Sequence, residues 1–150
     1  PIAAVATKPA LDLCGDWAFG HYTHEKNPVT ARAALTTIEI IEDENLVANA
    51  SRIGEIALDR LQEMRGRLPQ IGDVRGRGLL IGVELVKDRE TKAPDNDLAE
   101  AVLYAALDQG LSFKTSMGNV LTLTPPLIVN EQEMLKALDI IEASIVSATR

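Results

Sequence analysis

The sequence contains very little cysteine and few aromatic residues. Its single cysteine, Cys14, excludes an internal disulfide framework, and a lone thiol is typical of a protein in the reducing cytoplasm. We expect Cys14 to be a small hydrophobic side chain rather than a nucleophile, because the sequence places no base beside it. Phenylalanine, tryptophan and tyrosine make up only 3% of the chain, so the core has to consist of leucine, isoleucine, valine and alanine.

The chain also lacks an excess of positive charge and a long apolar run. Its 22 acidic and 15 basic residues give a net charge of −7, which argues against a nucleic-acid partner. No stretch reaches the roughly 20 apolar residues that a membrane-spanning helix needs, so no membrane partner is expected. A length of 150 residues suits one domain that buries roughly two-thirds of its unfolded surface.

The N-terminus lacks an initiator methionine and the charged and cleavage regions of a signal peptide. Residues 2–6 are a short apolar run that is consistent with a buried strand. We therefore expect the chain to be a fragment whose first residues lie within a fold.

Periodic apolar residues predict four helices, and a further helical turn or short helix is expected over residues 10–17. Asn27 can cap the first helix, and Pro28 suits its first position because the missing N–H would be unpaired there. Gly110 is placed to end the third helix in the left-handed conformation, and Asn130 with Glu133 predicts a capping box in the fourth. The predicted helices span residues 28–42, 46–65, 97–109 and 130–148.

Four strands complete the predicted fold, with an exposed charged loop after the second strand. The element order is helix, helix, strand, strand, helix, strand, strand, helix. This order predicts an α+β layer in which helices cover one face of a small, mostly antiparallel sheet. The predicted strands span residues 71–75, 79–86, 111–115 and 120–124, and the loop spans 87–97.

One polar loop concentrates the side chains that can bind a ligand: His21, Tyr22, Thr23 and His24. Two histidines are too few for a zinc site, which wants three or four ligands, and no further Cys/His cluster exists, so no metal is expected. Either histidine could titrate near neutral pH and line a substrate entrance, and the alternative is ordinary loop polarity.

The sequence of this region resembles that of the class III aminotransferases, which are pyridoxal-phosphate enzymes of fold type I. The resemblance covers essentially the whole chain and starts from Thr23-x-x-x-Asn27-Pro28-Val29, an Ala-rich helix and Ile41-Glu42-Asp43-Glu44-Asn45-Leu46. It implies that the Thr23 hydroxyl holds the cofactor phosphate of the neighbouring subunit in a homodimer. Tyr22 matches a family serine whose backbone N–H points to that phosphate. A hydroxyl beside a helix start suits an anionic oxygen.

The resemblance also implies a domain organisation and a missing catalytic group. Residues 1–27 would be a remnant of the large cofactor-binding domain, and residues 28–150 the C-terminal small domain with its connecting helix. The family's Schiff-base lysine lies in a glycine-rich run just before a segment like Pro1-Ile2-Ala3-Ala4-Val5. No lysine of this chain has that context, so we expect no catalytic residue here and no activity from the chain alone. The lysines are Lys8, Lys26, Lys87, Lys92, Lys114 and Lys136.

The most informative departure from the family is Thr122. Many members that act on amino acids have an arginine three residues before the pair Pro125-Pro126, where it grips a substrate carboxylate bidentately. Threonine supplies neither the fork nor the charge. The substrate would then lack a carboxylate there, bind it by other groups, or be an amide, a lactam or a plain amine. The surrounding sequence, residues 119–127, is similar to that of racemase and epimerase members such as amino-lactam racemases.

Other polar groups have a simpler interpretation. The segment Arg75-Gly76-Arg77-Gly78 could be an anion nest, although in the family the equivalent stretch mainly shapes the entry to the sheet, and we favour that structural role. Glu84, Asp139 and Glu142 are interpreted as solvated surface charges because no carboxylate pair is placed for acid–base work.

Three functions remain open from the sequence. The first is transamination between a small-molecule amine or amino acid and a 2-oxo acid, as the C-terminal part of a longer homodimeric enzyme. The second is racemisation or epimerisation of amino acids, amides or lactams, and the third is a stand-alone α+β domain that binds a small anion. The apolar face of the first helix suits burial against a missing large domain and a second subunit, so the chain alone should self-associate.

Overall fold

A computed structural model describes residues 2–11, 13, 17 and 27–149 of the chain. The chain divides into two compact units, Pro1–Glu44 and Asn45–Arg150. This division does not bear on the domain boundary predicted after residue 27, which stays a prediction. Among the described residues, no helix combines the length and the apolar character needed to cross a bilayer.

The first unit contains one long helix. A 3₁₀ turn spans Pro9–Leu11, and helix α1 spans Pro28–Asp43, close to its predicted limits. The strand predicted over residues 2–6 is wrong, since residues 2–8 are exposed and have no regular structure. No described strand pairs with them, and a strand without a partner is not stable in water.

The second unit has the predicted α+β architecture. Its antiparallel sheet has the order β1-β2-β5-β4, and the short β3 pairs with the end of β2. The loop predicted over residues 87–97 is therefore partly ordered as strand. The strands are β1 (Ile71–Arg77), β2 (Leu80–Asp88), β3 (Ala93–Pro94), β4 (Lys114–Ser116) and β5 (Val120–Leu123), and the helices are α2 (Leu46–Arg67), α3 (Asn96–Asp108) and α4 (Glu131–Ala148).

The core lies between the three helices and one face of the sheet. Along β2, Ile81, Val83 and Leu85 are buried, whereas Gly82 and Glu84 alternate with them toward the other face. The apolar side predicted for α2 is buried as expected, with Leu46, Ile53, Ala57, Leu61 and Met64 all inside. Packing the helices on one face leaves the opposite face of the sheet, called here the open face, with polar side chains.

A close contact between two glycines fixes where α2 lies on the sheet. Gly78 forms the turn between β1 and β2 in the left-handed conformation, with φ of +54°. Gly54 of α2 lies directly against it, so a Cβ added at Gly54 would overlap the backbone of Gly78. The absence of a side chain at Gly54 lets the helix approach the hairpin turn, and glycine at position 78 suits the left-handed backbone of that turn.

The predicted caps and the second hairpin are present. Gly110 has φ of +84° just after α3, and the Asn130–Glu133 capping box makes both of its hydrogen bonds, at 2.9 and 3.0 Å. The turn between β4 and β5 is held by buried Asn119, whose Nδ2 donates to the Leu85 carbonyl at 2.9 Å. This bond ties the hairpin to β2 and sets the position of β5 on the open face.

Candidate functional site

The predicted phosphate loop lies outside the described residues. Thr23 and Tyr22, predicted to bind the cofactor, and His21 and His24, predicted at a substrate entrance, all belong to this part of the chain. Their assignments stay predictions. Cys14 also lies outside the described residues.

The helix start that follows this loop is well defined. The Asn27 side-chain oxygen accepts from the backbone N–H of Val29 at 2.9 Å and of Thr30 at 3.5 Å. The Thr30 hydroxyl donates back to the Asn27 carbonyl at 3.1 Å. Because these N–H groups already have a partner, an anion bound here would depend on donors from the preceding loop.

Thr122, the predicted substrate-binding residue, lies on β5 in the middle of the open face. Its Cα partners are Gly82 on β2 and Lys114 on β4. Its hydroxyl oxygen is 2.8 Å from the hydroxyl oxygen of Ser116. The pair can share one hydrogen bond internally and still present one O–H group to a ligand.

Thr122 borders a shallow hollow of about 320 Å³ on the open face, called here the sheet depression. Gly82 lies at its floor and has no side chain to fill it. Cationic side chains border it on the β1 side. Its lining residues are Arg75, Gly76, Arg77, Leu80, Ile81, Gly82 and Thr122.

The two arginines of the depression differ in their partners. Arg75 Nη1 donates to Asp73 at 2.8 Å and to Glu84 at 2.7 Å. The hydrogen bond to Asp73 first, and then that to Glu84, raise the pKa of Arg75 above its ordinary value. The ion pairs among the described residues engage Arg75 and leave Arg77 without a carboxylate.

The glycine-rich segment 75–78 does not have the form of an anion nest. Arg75, Gly76 and Arg77 pair with Gly82, Ile81 and Leu80 in the antiparallel ladder. Their backbone is therefore extended, whereas a nest needs successive N–H groups to converge in a turn. The structural role favoured from the sequence fits this geometry.

The interpretation of Glu142 as a solvated surface charge is wrong. Its side chain is only 17% exposed and pairs with Arg60 at 2.6 Å and with Arg67, both on α2. The hydrogen bond from Arg67, together with the charge of Arg60, holds the pKa of Glu142 below its ordinary value. Asp139 binds the same Arg60 at 3.2 Å but remains largely exposed. This cluster joins α2 to α4 away from the depression.

The described lysines are solvent-exposed, and the described acidic side chains are not gathered into a metal site. Five lysines lie in the described part of the chain, and all of them are exposed: Lys8, Lys87, Lys92, Lys114 and Lys136. Lys26 lies outside it. Among the described residues, no group of three or more His, Cys, Asp or Glu side chains is close enough to hold a metal ion.

Sequence reasoning missed the neighbours that surround Thr122. Ser116 was not singled out, and Lys114 was considered only as a possible Schiff-base lysine, although both contact or pair with Thr122 through the hairpin. The signal was the strand alternation on both sides of the Met117-Gly118 turn, which places residues 114, 116 and 122 on one face. Reading it requires the register of the hairpin, which the residue pattern alone leaves open.

Comparison with known proteins gives the chain its family. The family model described as "Aminotransferase class-III" matches residues 3–145. The (R)-1-hydroxy-2-aminoethylphosphonate ammonia-lyase of Vibrio splendidus is 48% identical over 97% of this chain and 30% of its own length. The leucine/methionine racemase of Thermococcus litoralis is 45% identical over 84% of this chain and 29% of its own length.

A solved structure gives the same answer for the fold. An aminotransferase of Bacillus anthracis superposes with a TM-score of 0.72 at 40% identity, over 76% of this chain and 27% of that one. The chain thus spans less than a third of the length of the relatives it matches. Family model, sequence relatives and structure agree, and the chain belongs to the class III aminotransferase family.

Proposed function

We propose that this chain is the C-terminal part of a pyridoxal-phosphate-dependent enzyme that transfers an amino group between a small-molecule amine or amino acid and a 2-oxo acid. The family match over residues 3–145 carries this proposal. The enzyme is proposed to act as a homodimer in the cytoplasm, which suits a chain with one cysteine.

The cofactor phosphate is assigned to the loop before α1. In this proposal the Thr23 hydroxyl would donate to a phosphate oxygen across the subunit boundary, and the backbone N–H of Tyr22 would donate to the same group. The capped start of α1 supports the assignment of the phosphate to loop donors, because the N–H groups of Val29 and Thr30 already donate to Asn27. When bound, pyridoxal phosphate supplies an electron sink for the carbon that bears the amino group.

The Schiff-base lysine is assigned to sequence outside this chain. Every described lysine is exposed, whereas a lysine that forms a Schiff base works in a desolvated pocket. The relatives' greater length leaves room for a large domain that would carry it. The chain alone is therefore inactive in this proposal.

A second candidate is racemisation, epimerisation or elimination at the carbon that bears the amino group. Thr122 favours it, since this position cannot grip a carboxylate as an arginine would. The two curated relatives described above are a lyase and a racemase by name, which also supports it. This candidate shares the family and the cofactor of the first and differs only in the fate of the amino compound.

The test is a full-length gene product assayed in parallel for amino transfer to pyruvate or 2-oxoglutarate and for loss of optical rotation. Thr23→Ala should weaken pyridoxal phosphate affinity about tenfold or more, because a charge-assisted hydrogen bond is lost. Thr23→Ser keeps the hydroxyl and should retain the affinity. Equal affinity in the alanine and serine variants would contradict the phosphate assignment. A gene product that lacks both activities and the glycine-lysine run would favour a small-anion-binding domain.

A further inference from the structure

The three methionines of this chain lie in very different surroundings. Met64 on α2 and Met134 on α4 belong to the core, and their exposed fractions are 0% and 3%. Met117, in the turn between β4 and β5, is 90% exposed. A thioether sulfur is oxidised only when the oxidant reaches it, so these surroundings predict very unequal reactivity for the three sulfurs.

The backbone of this turn does not favour a methionine. Met117 has φ of +55°, and the following Gly118 has φ of +85°. Glycine and asparagine adopt this left-handed conformation readily, whereas a longer side chain such as that of methionine rarely does. Local turn chemistry therefore predicts asparagine or glycine at position 117, and the turn itself does not explain the methionine.

The side chain of Met117 also contributes nothing to the packing of the described residues. It belongs neither to the core cluster nor to the half-buried side chains that pack against that cluster. Other residues hold the turn, since Asn119 donates to the Leu85 carbonyl at 2.9 Å and the Asn96 side chain lies against Gly118. A strained residue without a packing role is a candidate for a role outside the fold.

We propose that Met117 is an oxidation site at which hydrogen peroxide converts the thioether to the sulfoxide. A lone pair of the Sδ atom attacks one peroxide oxygen, an S–O bond forms, and the O–O bond breaks. The departing hydroxide takes the proton of the transferred oxygen and leaves as water. The sulfur loses two electrons and the peroxide gains two, so no further reactant is needed. The step uses none of the groups assigned to the proposed function and does not depend on it.

The exposed turn can carry the product without damage to the fold. A sulfoxide is polar and accepts hydrogen bonds, and at position 117 its oxygen would face water. The same change at Met64 or Met134 would place an unpartnered polar group among buried apolar side chains. Methionine sulfoxide reductases return the sulfoxide to the thioether, so the modification of Met117 is reversible in a chain that stays folded.

Peroxide treatment of the full-length protein, followed by peptide mass spectrometry, tests the inference. A protease that cuts after glutamate separates Met117 from Met134, because Glu131 and Glu133 lie between them. Met117 should gain one oxygen at least about tenfold faster than Met64 or Met134, since the buried sulfurs become accessible only when the structure opens. In urea-unfolded protein the three rates should converge, which would assign the selectivity to the fold.

Variants at the turn supply the matched controls. Met117→Leu keeps an apolar side chain without sulfur, so it should show no added oxygen at this position and unchanged rates at Met64 and Met134. Met117→Asn should raise the melting temperature, because asparagine fits the left-handed backbone. Circular dichroism of the Met117 sulfoxide should match that of the reduced protein, and a methionine sulfoxide reductase should restore the original mass.

The inference is overturned if Met117 reacts no faster than Met64 and Met134 in the folded full-length protein. Loss of the folded circular-dichroism signal on oxidation of Met117 alone would overturn it as well, and so would a sulfoxide that the reductase leaves in place. A melting temperature that falls in Met117→Asn would contradict the absence of a packing role on which the inference rests.

Discussion

At the scale of single residues, Thr122 is the side chain for which the sequence makes the sharpest prediction. It sits between Gly82 and Lys114 on the open face and offers a hydroxyl, whereas the family resemblance predicts a guanidinium at this position in many members. A hydroxyl is neutral and makes single hydrogen bonds, whereas a guanidinium forms a charged fork. The preference of the enzyme for one anion over another should therefore depend on this side chain.

Thr122→Arg in the full-length enzyme should shift substrate preference toward amino acids with a free carboxylate, by about tenfold in relative kcat/KM, because a bidentate charged contact is gained. A panel of amino acids, their amides and plain amines measures the shift. Thr122→Lys adds the charge without the fork and should produce a smaller change. An unchanged ratio of kcat/KM between carboxylate and amide substrates would refute the hypothesis that this position determines the preference for a substrate head group.

Glu142 illustrates a different residue-scale effect, in which charge stabilises the fold. Glu142→Gln should lower the free energy of unfolding by about 1–3 kcal/mol, because Arg60 and Arg67 lose a partner that is mostly shielded from water. Asp139→Asn is the matched control, since it touches the same Arg60 from an exposed position and should cost less than about 1 kcal/mol. Equal losses in urea denaturation would contradict the role assigned to burial.

The same pair predicts a pH dependence. The pKa of Glu142 is lower in the folded chain than its ordinary value of 4.5, so its contribution to stability is complete above that value. The contribution is lost as pH falls through the lowered pKa, since the folded state must then take up a proton that the unfolded chain has already bound. The stability gap between wild type and Glu142→Gln should be constant above pH of about 5 and should shrink below about 4.5. A gap that stays constant as the pH falls from 5 to 3 would contradict this assignment.

At the scale of elements, the contact between Gly54 and Gly78 determines how α2 meets the first hairpin. Gly54→Ala should lower the free energy of unfolding by about 1–3 kcal/mol or more, because the new methyl group overlaps the Gly78 backbone and the helix must shift. Gly66→Ala on the same helix has nothing within 4 Å of its new Cβ and should stabilise by about 0.5–1 kcal/mol. Thermal denaturation of both variants measures the contrast, and destabilisation of equal size in both would refute it.

Elements were predictable from the sequence where local chemistry decides them. The buried side of α2 and the Asn130–Glu133 cap follow from spacing alone, and the structure confirms both. The strand over residues 2–6 failed because an apolar run becomes a strand only beside a partner. The shielding of Glu142 and the row from Gly82 to Lys114 depend on helix packing and strand register, which join residues far apart in the chain.

At the scale of the whole chain, the two compact units bury very different numbers of apolar side chains. The second unit has a continuous core of residues from α2, α3, α4 and the sheet. In α1, by contrast, no residue is buried, and Val29, Leu35, Ile38 and Ile40 are all exposed. A helix without packed side chains opens at low free-energy cost.

Limited trypsin digestion of this chain should therefore cut after Arg32 in α1 well before it cuts after Arg60 in α2. Arg60 is held by Asp139 and Glu142, and α2 buries one side along its length. Mass spectrometry of a digestion time course identifies the order of the cuts. Cleavage after Arg60 as early as after Arg32 would show that the second unit opens as easily as the first.

The exposure of α1 has a consequence for how such a chain would fare in a cell. Quality-control proteases and chaperones act on segments that open readily and present leucine and isoleucine, so a copy made alone would be removed quickly. Joined to whatever covers the leucine and isoleucine side of α1, the same residues would be hidden from that surveillance. A longer half-life of the full gene product than of the chain expressed by itself would thus show that the apolar side of α1 is buried in the longer protein.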